Sequence, residues 1–164
     1  MIGLLQRVSR ASVTVNNRTV ADIGPGLAVL VAIQRNDTTA QAKRLLARIL
    51  TYRVFEDEAG RMNLDLTQVD GGLLLVPQFT LAANTHKGTR PSFTAAADPE
   101  YSQALYGEFV AAARSQWHNV ATGVFGANMD VSLVNQGPVT FWLEVPPGKP
   151  LQRGDHKRAT PSPE

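Results

Sequence analysis

Two short segments of this 164-residue chain carry polar and backbone groups of the kind that bind a substrate. Residues 77–81 read Pro-Gln-Phe-Thr-Leu and follow an apolar run, so Gln78 and Thr80 would offer hydrogen-bond donors at a strand end. Residues 135–140 read Asn-Gln-Gly-Pro-Val-Thr, in which the glycine leaves the backbone open to close approach. From composition alone each segment has a simpler explanation. The first would satisfy neighbouring backbone groups, and the second would form an ordinary turn.

The groups on which most hydrolases depend are missing or poorly placed. The chain has no cysteine, which excludes disulfides, thiolate nucleophiles and cysteine-based zinc sites. Its three histidines lie in a polar loop (His86), just beyond a predicted helix (His118) and in the C-terminal tail (His156). No serine-hydrolase, zinc-protease or phosphate-loop motif is present. An enzyme with this sequence would therefore work without a histidine base, a metal or a cofactor.

Charge and proline content divide the chain into two parts. The formal net charge is +2, and residues 146–164 carry all of it, so residues 1–145 are formally neutral. A neutral body argues against a protein that grips nucleic acid through a broad basic surface. Residues 146–150 read Pro-Pro-Gly-Lys-Pro, which can continue neither a strand nor a helix. We therefore predict one domain over residues 1–145 and a disordered basic tail over residues 146–164.

The chain also lacks the signals of a membrane or secreted protein. No apolar run approaches the roughly 20 residues that span a bilayer. Gln6 and Arg7 stand where a signal peptide would need its apolar core. These features predict a cytoplasmic protein that makes no membrane contact.

Two helices are predicted to pack on the sheet. The first begins with a capping box at Thr38 and Gln41 and carries an apolar stripe. The stripe consists of Ala42, Leu45, Leu46, Ile49 and Leu50. The second begins with Asp98 as N-cap and Pro99 at the first helical position, and should end near Trp117.

Short apolar or alternating runs predict strands in most of the remaining chain. They lie at residues 2–8, 12–15, 19–23, 27–33, 73–76, 121–125, 131–134 and 139–145. Strands and helices do not alternate strictly, so a doubly wound parallel sheet is a poor fit. The pattern favours an α/β or α+β domain with a curved, barrel-like mixed sheet and two helices packed on it.

The two segments together resemble the signature motifs of the D-aminoacyl-tRNA deacylases. The first is Gln-Phe-Thr-Leu at residues 78–81, and the second is Asn-x-Gly-Pro-Val-Thr at residues 135–140. Other stretches are similar to the family in the same order, so the resemblance covers residues 1 to about 145. They lie at residues 5–13, 23–27, 62–64, 87–93 and 131–135. One departure is Pro77, where the family usually has serine.

This resemblance implies a homodimeric hydrolase that needs no metal or cofactor. Its substrate would be the ester between a D-amino acid, or glycine, and the 3′-terminal adenosine of tRNA, and L-aminoacyl-tRNA would be rejected. Gln78, Phe79 and Thr80 would hold the scissile carbonyl and its developing oxyanion. Thr80 is also the family's candidate nucleophile.

The resemblance places selectivity in the second motif. In the family the Gly137-Pro138 bond is cis and enters the active site from the partner subunit. Its carbonyl oxygens would crowd the side on which an L side chain projects. Arg7 would help to hold that loop, although a surface ion pair is the alternative explanation for this residue.

Two other functions are also compatible with the sequence. A related deacylase group that acts on L-alanyl-tRNA also carries proline at the Pro77 position, although Phe79 and Val139 both match the D-specific family. The other alternative is a nucleic-acid-binding protein without activity, which would use the basic tail as its grip.

Overall fold

Strand pairing in this protein converges on one long N-terminal strand. The structure, a computed structural model, describes residues 1–147. In chain order its elements are β1 (Ile2–Val15), β2 (Arg18–Ile23), β3 (Gly26–Ala32), α1 (Thr39–Thr51), β4 (Phe55–Glu56), β5 (Met62–Leu64), β6 (Gly72–Pro77), a 3₁₀ turn (Phe79–Ala82), α2 (Pro99–Gln116), β7 (Val120–Thr122) and β8 (Asp130–Glu144). The predicted disordered tail lies, from residue 148 onward, outside the described residues.

The main sheet is mixed and strongly curved. β8 pairs antiparallel with β1 between Ile2 and Thr14, while β3 pairs with residues 2–8 of β1 and β2 with residues 11–15. β6 then pairs parallel with β3, and β7 parallel with β6. β2 also contacts β6 and β7, so the sheet curls almost into a barrel. The predicted α+β fold with a curved mixed sheet is confirmed.

Both predicted helices form where the sequence places their ends. Thr38 caps α1, and Gln41 completes the capping box. Asp98 caps α2 by accepting hydrogen bonds from the backbone of Glu100 and Tyr101. The helices bury their apolar sides with the strands in one cluster, in which Phe109 of α2 is 1% exposed. Neither helix in the described residues is long and apolar enough to cross a membrane.

The strand predictions need three corrections. The strand predicted over residues 121–125 ends at Thr122, because the chain leaves the sheet and turns at residues 125–126. Residues 2–8 and 12–15 are one strand, because β1 resumes its pairing with β8 at Arg10 after an irregularity at Ser9. Residues 131–134 and 139–145 also belong to one strand, β8, rather than to two strands joined by a turn. The hairpin β4–β5 and the 3₁₀ turn were not predicted, because each is too short to show a periodic apolar pattern.

A pair of glycines sets how closely β3 and β6 approach. The register runs from Gly26 opposite Gly72 to Val31 opposite Pro77, which places the first motif just beyond the carboxyl end of β6. A Cβ atom added to Gly26 would lie 2.0 Å from the backbone oxygen of Gly72. No side chain fits there unless the two strands separate.

We predict that Gly26→Ala destabilises the protein by about 1–3 kcal/mol or more, because the added methyl group must push the β6 backbone away. Gly24→Ala is the matched control, since a Cβ at Gly24 meets nothing within 4 Å. Thermal or urea unfolding of both variants measures the difference. Equal stability of the two variants would show that the close approach of Gly26 and Gly72 is not needed.

Candidate active site

The first motif forms a tight turn at the end of β6. The Gln78 backbone N–H donates to the Val31 carbonyl at 2.8 Å, which anchors the turn to β3. The Gln78 side-chain amide Nε2 donates to Thr80 Oγ1. Phe79 and Thr80 begin the 3₁₀ turn, so no carbonyl within the turn can accept from their N–H groups. This turn therefore presents two adjacent backbone donors at the protein surface.

A cleft of about 440 Å³ opens beside this turn. Its walls come from the first motif, from the start of α2 and from the segment that follows β7. They are formed by Pro77, Gln78, Phe79, Ala97, Pro99, Ser102 and residues 125–129. The volume falls within the range of small-molecule sites, and most of the wall is apolar. The cleft can receive a group about the size of a nucleoside, and Phe79, which carries one of the two donors, lines it.

The second motif forms a wide bulge in β8. Gln6 of β1 pairs with Thr140, and Val8 pairs with Asn135, so four residues of β8 lie opposite the single residue Arg7. Such a bulge pushes its extra residues out of the ladder. Gly137 and Pro138 lie in this bulge and are exposed, and their peptide bond is cis.

The Asn135 side chain holds the two ends of the bulge together. Its Oδ1 accepts the backbone N–H of Val139 at 2.9 Å, and its Nδ2 donates to Thr140 Oγ1 at 2.8 Å. A Cβ at Gly137 would lie 2.7 Å from Val139 Cγ2, and the φ angle of Gly137 is +132°. The backbone conformation and the lack of space both require glycine at this position.

Arg7 supports the bulge from inside the sheet. Its side chain is buried, and its Nε donates to the Gln136 carbonyl at 3.1 Å. Nη1 donates to the Val54 carbonyl at 2.7 Å, and Nη2 lies 3.4 Å from Glu56 Oε1. The guanidinium group thus ties the bulge to the β4 segment. Arg7 is not a free surface charge, which argues against the alternative of a simple surface ion pair.

One chain does not bring the two motifs together. Val31 pairs with both Gly3 and Pro77, so the first motif stands level with Gly3. The bulge stands level with Arg7, which is four residues further along β1, or roughly 13 Å at about 3.3 Å per residue. β1 and β3 also lie between the strands that carry the motifs.

The ionisable groups of the chain lie outside both motifs. His118 Nε2 contacts Asp70 at 3.2 Å on the exposed surface. Burial lowers the pKa of the Met1 α-ammonium group and raises the pKa of Asp37, while the ion pair between them, at 2.7 Å, opposes both shifts. The Met1 amine also donates to the Val145 carbonyl, which gives this pair a structural place in the fold. Among residues 1–147, no three acidic or histidine side chains cluster as a metal site would require.

A family model described as D-Tyr-tRNA(Tyr) deacylase matches residues 4–144. The chain belongs to this family. Two relatives, from Thioalkalivibrio sulfidiphilus and Cupriavidus necator, are both named D-aminoacyl-tRNA deacylase. They are 65% and 60% identical to this chain, and each alignment covers 90% of this chain and 99% of the relative.

Solved structures show the deacylase-family fold as well. One is described as c-Myc DNA Unwinding Element Binding Protein. It superposes with a TM-score of 0.86 at 38% identity, over 89% of this chain and 99% of the other. A second, described as a probable eukaryotic D-amino acid tRNA deacylase, gives a TM-score of 0.77 over 88% and 98% of the two chains. At 20% identity, the second comparison supports the fold alone.

The structure adds residues that sequence reasoning did not assign. Asn135 stands inside the second motif, but its two hydrogen bonds depend on the bulge geometry. Val54 and Glu56 hold Arg7 through the β4 segment, and no spacing pattern in the sequence connects positions so far apart. Arg7 was predicted to hold the Gly137-Pro138 loop, and it bonds to the adjoining Gln136 carbonyl.

We predict that Asn135→Ala loosens the bulge, because the Val139 N–H loses its acceptor. Amide hydrogen exchange at Val139 should accelerate roughly tenfold, which corresponds to about 1.4 kcal/mol for one hydrogen bond. Asn135→Asp is the control. Its carboxylate can accept from both the Val139 N–H and the Thr140 hydroxyl, so protection should be retained. Unchanged exchange at Val139 in Asn135→Ala would contradict this role of the side chain.

Proposed function

We propose that this chain, as a member of the D-Tyr-tRNA deacylase family, hydrolyses the ester between a D-amino acid and the terminal adenosine of tRNA. We also propose that each active site combines the first motif of one copy with the second motif of another. The observation that carries the hydrolytic proposal is the exposed turn at Phe79 and Thr80. It offers two backbone N–H donors beside a cleft large enough for a nucleoside.

The chemistry suits a site without an ionisable nucleophile. Water adds to the ester carbonyl carbon, and the electron pair moves onto the carbonyl oxygen, which becomes an oxyanion. When this intermediate collapses, the bond to the adenosine oxygen breaks, and this oxygen leaves with the proton that the attacking water gives up. The free D-amino acid and tRNA are the products. Backbone donors aimed at an oxyanion are among the strongest catalytic devices, and removal of one donor typically costs about 10²–10³ in rate.

Thr80 is assigned a positioning role in this mechanism. Its Oγ1 accepts a hydrogen bond from Gln78 Nε2, which directs the hydroxyl within the turn. A hydroxyl nucleophile needs a neighbouring general base, and neither Gln78 nor Phe79 can serve as one. The turn therefore favours orientation of the ester over covalent attack by Thr80.

Selectivity is assigned to the backbone of Gly137 and Pro138. These residues stand outside the ladder of β8, where they can reach into a neighbouring molecule, and Asn135 and Arg7 hold them from behind. A rigid main chain placed against the α-carbon would exclude an L side chain and accept D side chains of many sizes. Glycine has no side chain to exclude, so glycyl-tRNA is a proposed substrate as well.

A second copy is needed because the motifs lie far apart in one chain. Several features of β8 support its place in a dimer interface. Within the described residues, β8 pairs with β1 alone, which leaves a long strand edge uncovered. Val134 and Trp142 are also exposed on β8, at 42% and 51%. Apolar side chains beside an open strand edge are typical of a surface that another chain covers.

The cellular location and the choice against the two alternative functions follow from the family and from the charge of the chain. Aminoacyl-tRNA is the substrate of this family, so we assign the chain to the cytoplasm, with no membrane partner. A purely nucleic-acid-binding function is disfavoured by the formally neutral body of residues 1–145. Pro77 keeps its register opposite Val31, so proline at this position leaves the first motif in place. Phe79 and Val139, which match the D-specific family, favour a D-aminoacyl substrate over an L-alanyl one.

We expect the purified protein to release D-tyrosine from D-tyrosyl-tRNA and glycine from glycyl-tRNA. Release from L-tyrosyl-tRNA and L-alanyl-tRNA should be negligible, because the Gly137-Pro138 backbone blocks L side chains. The rate at which each of the four tRNA substrates releases its labelled amino acid measures this selectivity. Efficient release of L-alanine would instead assign the chain to the L-alanyl editing group.

We expect two inactive variants to restore one another in a mixed dimer. Gln78→Ala removes the side-chain amide that orients Thr80 in the first motif, and Gly137→Ala distorts the second motif. Because a small misplacement of positioning groups can cost about a hundredfold in rate, each homodimer should lose about that much. A mixed dimer contains one site in which both motifs are intact. When it is purified by two different tags, its activity should recover to about half of the unmutated level, since one of two symmetric sites is restored.

Recovery fails if each site is built within a single chain, because each chain of the mixed dimer then carries one damaged motif. Gel filtration and circular dichroism of both single variants verify that they are folded and dimeric. A folded mixed dimer without activity would overturn the shared-site proposal while leaving the hydrolytic function untouched.

A further inference from the structure

An exposed loop that carries two cations follows directly after the first motif. We call residues 84–92 the cationic loop. It is closed at its base by two backbone hydrogen bonds between Asn84 and Ser92, at 2.7 and 3.0 Å. Inside it, Asn84 Oδ1 accepts the His86 N–H at 3.0 Å, and Gly88 has a φ angle of +66°. Every residue of the loop is exposed, so its side chains reach solvent.

The charges of this loop are not neutralised nearby. Lys87 and Arg90 lie in a stretch, residues 71–97, that contains no aspartate or glutamate. Among the ion pairs of residues 1–147, none involves Lys87 or Arg90. Residues 1–145 are formally neutral as a whole. The cationic loop is therefore a local concentration of positive charge on a body that otherwise offers little attraction to an anion.

The base of the loop is attached to the site. The rings of Phe79 and Phe93 pack together with their centroids 5.3 Å apart, and Phe93 follows the loop immediately. Both rings remain substantially exposed, at 60% and 41%. Exposed aromatic rings beside cations are typical of surfaces that bind single-stranded nucleic acid, where bases stack and phosphates pair with basic side chains.

We propose that Lys87 and Arg90 bind phosphodiester groups of the single-stranded 3′ end of the substrate RNA. This proposal rests on the proposed function, which places the terminal adenosine at the first motif. From its closed base, a loop of this length reaches roughly 13 Å, at about 3.3 Å per extended residue. That reach corresponds to the phosphates one to three nucleotides before the ester. The loop thus supplies RNA affinity that the neutral body lacks.

The test compares two substrates that share the ester and differ in their phosphates. D-Tyrosyl-tRNA has the complete 3′ end, and D-tyrosyl-adenosine has no phosphodiester at all. In the double variant Lys87→Gln/Arg90→Gln, KM for the tRNA should rise about tenfold, while kcat is retained. Hydrolysis of D-tyrosyl-adenosine should be unchanged. The slope of log(kcat/KM) against log salt concentration should flatten by about 1.4, at roughly 0.7 for each single-strand phosphate.

Two further variants serve as controls. Lys43→Gln/Arg44→Gln removes the same two residue types from the exposed side of α1 and should leave KM for the tRNA unchanged. The exchange Lys87→Arg/Arg90→Lys keeps both charges and should preserve the salt dependence.

Three results would overturn the proposal. The first is an unchanged KM for the tRNA in the loop variant. The second is that the loop variant loses as much kcat/KM with D-tyrosyl-adenosine as with the tRNA. The third is that the α1 control raises KM for the tRNA as much as the loop variant does. Failure of the proposed function is distinguishable from all three, because the unmutated protein would then hydrolyse neither ester.

Discussion

The pairing register of β1 is the constraint on which both motifs depend. Over most of its length, β1 pairs with β8 along one edge and with β2 or β3 along the other. A slip of one residue would move every side chain to the opposite face of the sheet. Leu5, which is fully buried, would then point outward, and Gln6 would replace Arg7 in the interior. The loss would be structural and functional at once, because Arg7 holds the Gly137-Pro138 bulge.

The same register explains why the site is made of main-chain groups. Parallel pairing of β3 and β6 fixes the Gln78 N–H on the Val31 carbonyl, and this bond orients the turn that presents the Phe79 and Thr80 donors. Across β1, the mismatch of one residue against four forces the second motif out of the ladder. Neither arrangement needs an ionisable side chain. Both are held to the sheet by hydrogen bonds, which suits a reaction controlled by orientation and charge stabilisation.

The sequence predicted those features that depend on local periodicity or on an end signal. The capping box at Thr38 and the Asp98-Pro99 start are complete within four residues, so both helices could be placed correctly. The α+β class followed from the same reasoning. The junctions of the long strands could not be predicted, because a bulge and a turn have the same residue preferences around Gly137 and Pro138. Only the pairing partner, β1, distinguishes them, and it lies some 130 positions earlier in the chain.

The roles of residues within the site depend on contacts between positions that lie far apart in the sequence. Arg7 meets Val54 and Glu56 through the short β4 segment, whose two residues carry no pattern that prediction can use. The resemblance of the two motifs to a family supplied the candidates, whereas the structure shows what supports them. Gln78 and Thr80 form one unit through their side chains, and Asn135 and Thr140 form another.

A site divided between two copies would couple selectivity to assembly. In the proposed arrangement, the bulge excludes L side chains only when it stands against the partner's first motif, so an isolated chain would possess donors without a chiral barrier. The support behind the bulge is buried, with the Arg7 side chain 7% exposed, while the bulge itself projects. A rigid interior support for an exposed tip allows the tip to enter a second molecule without losing its shape. Substitutions at Arg7, Asn135 or Gly137 would therefore affect the partner's active site rather than the chain's own.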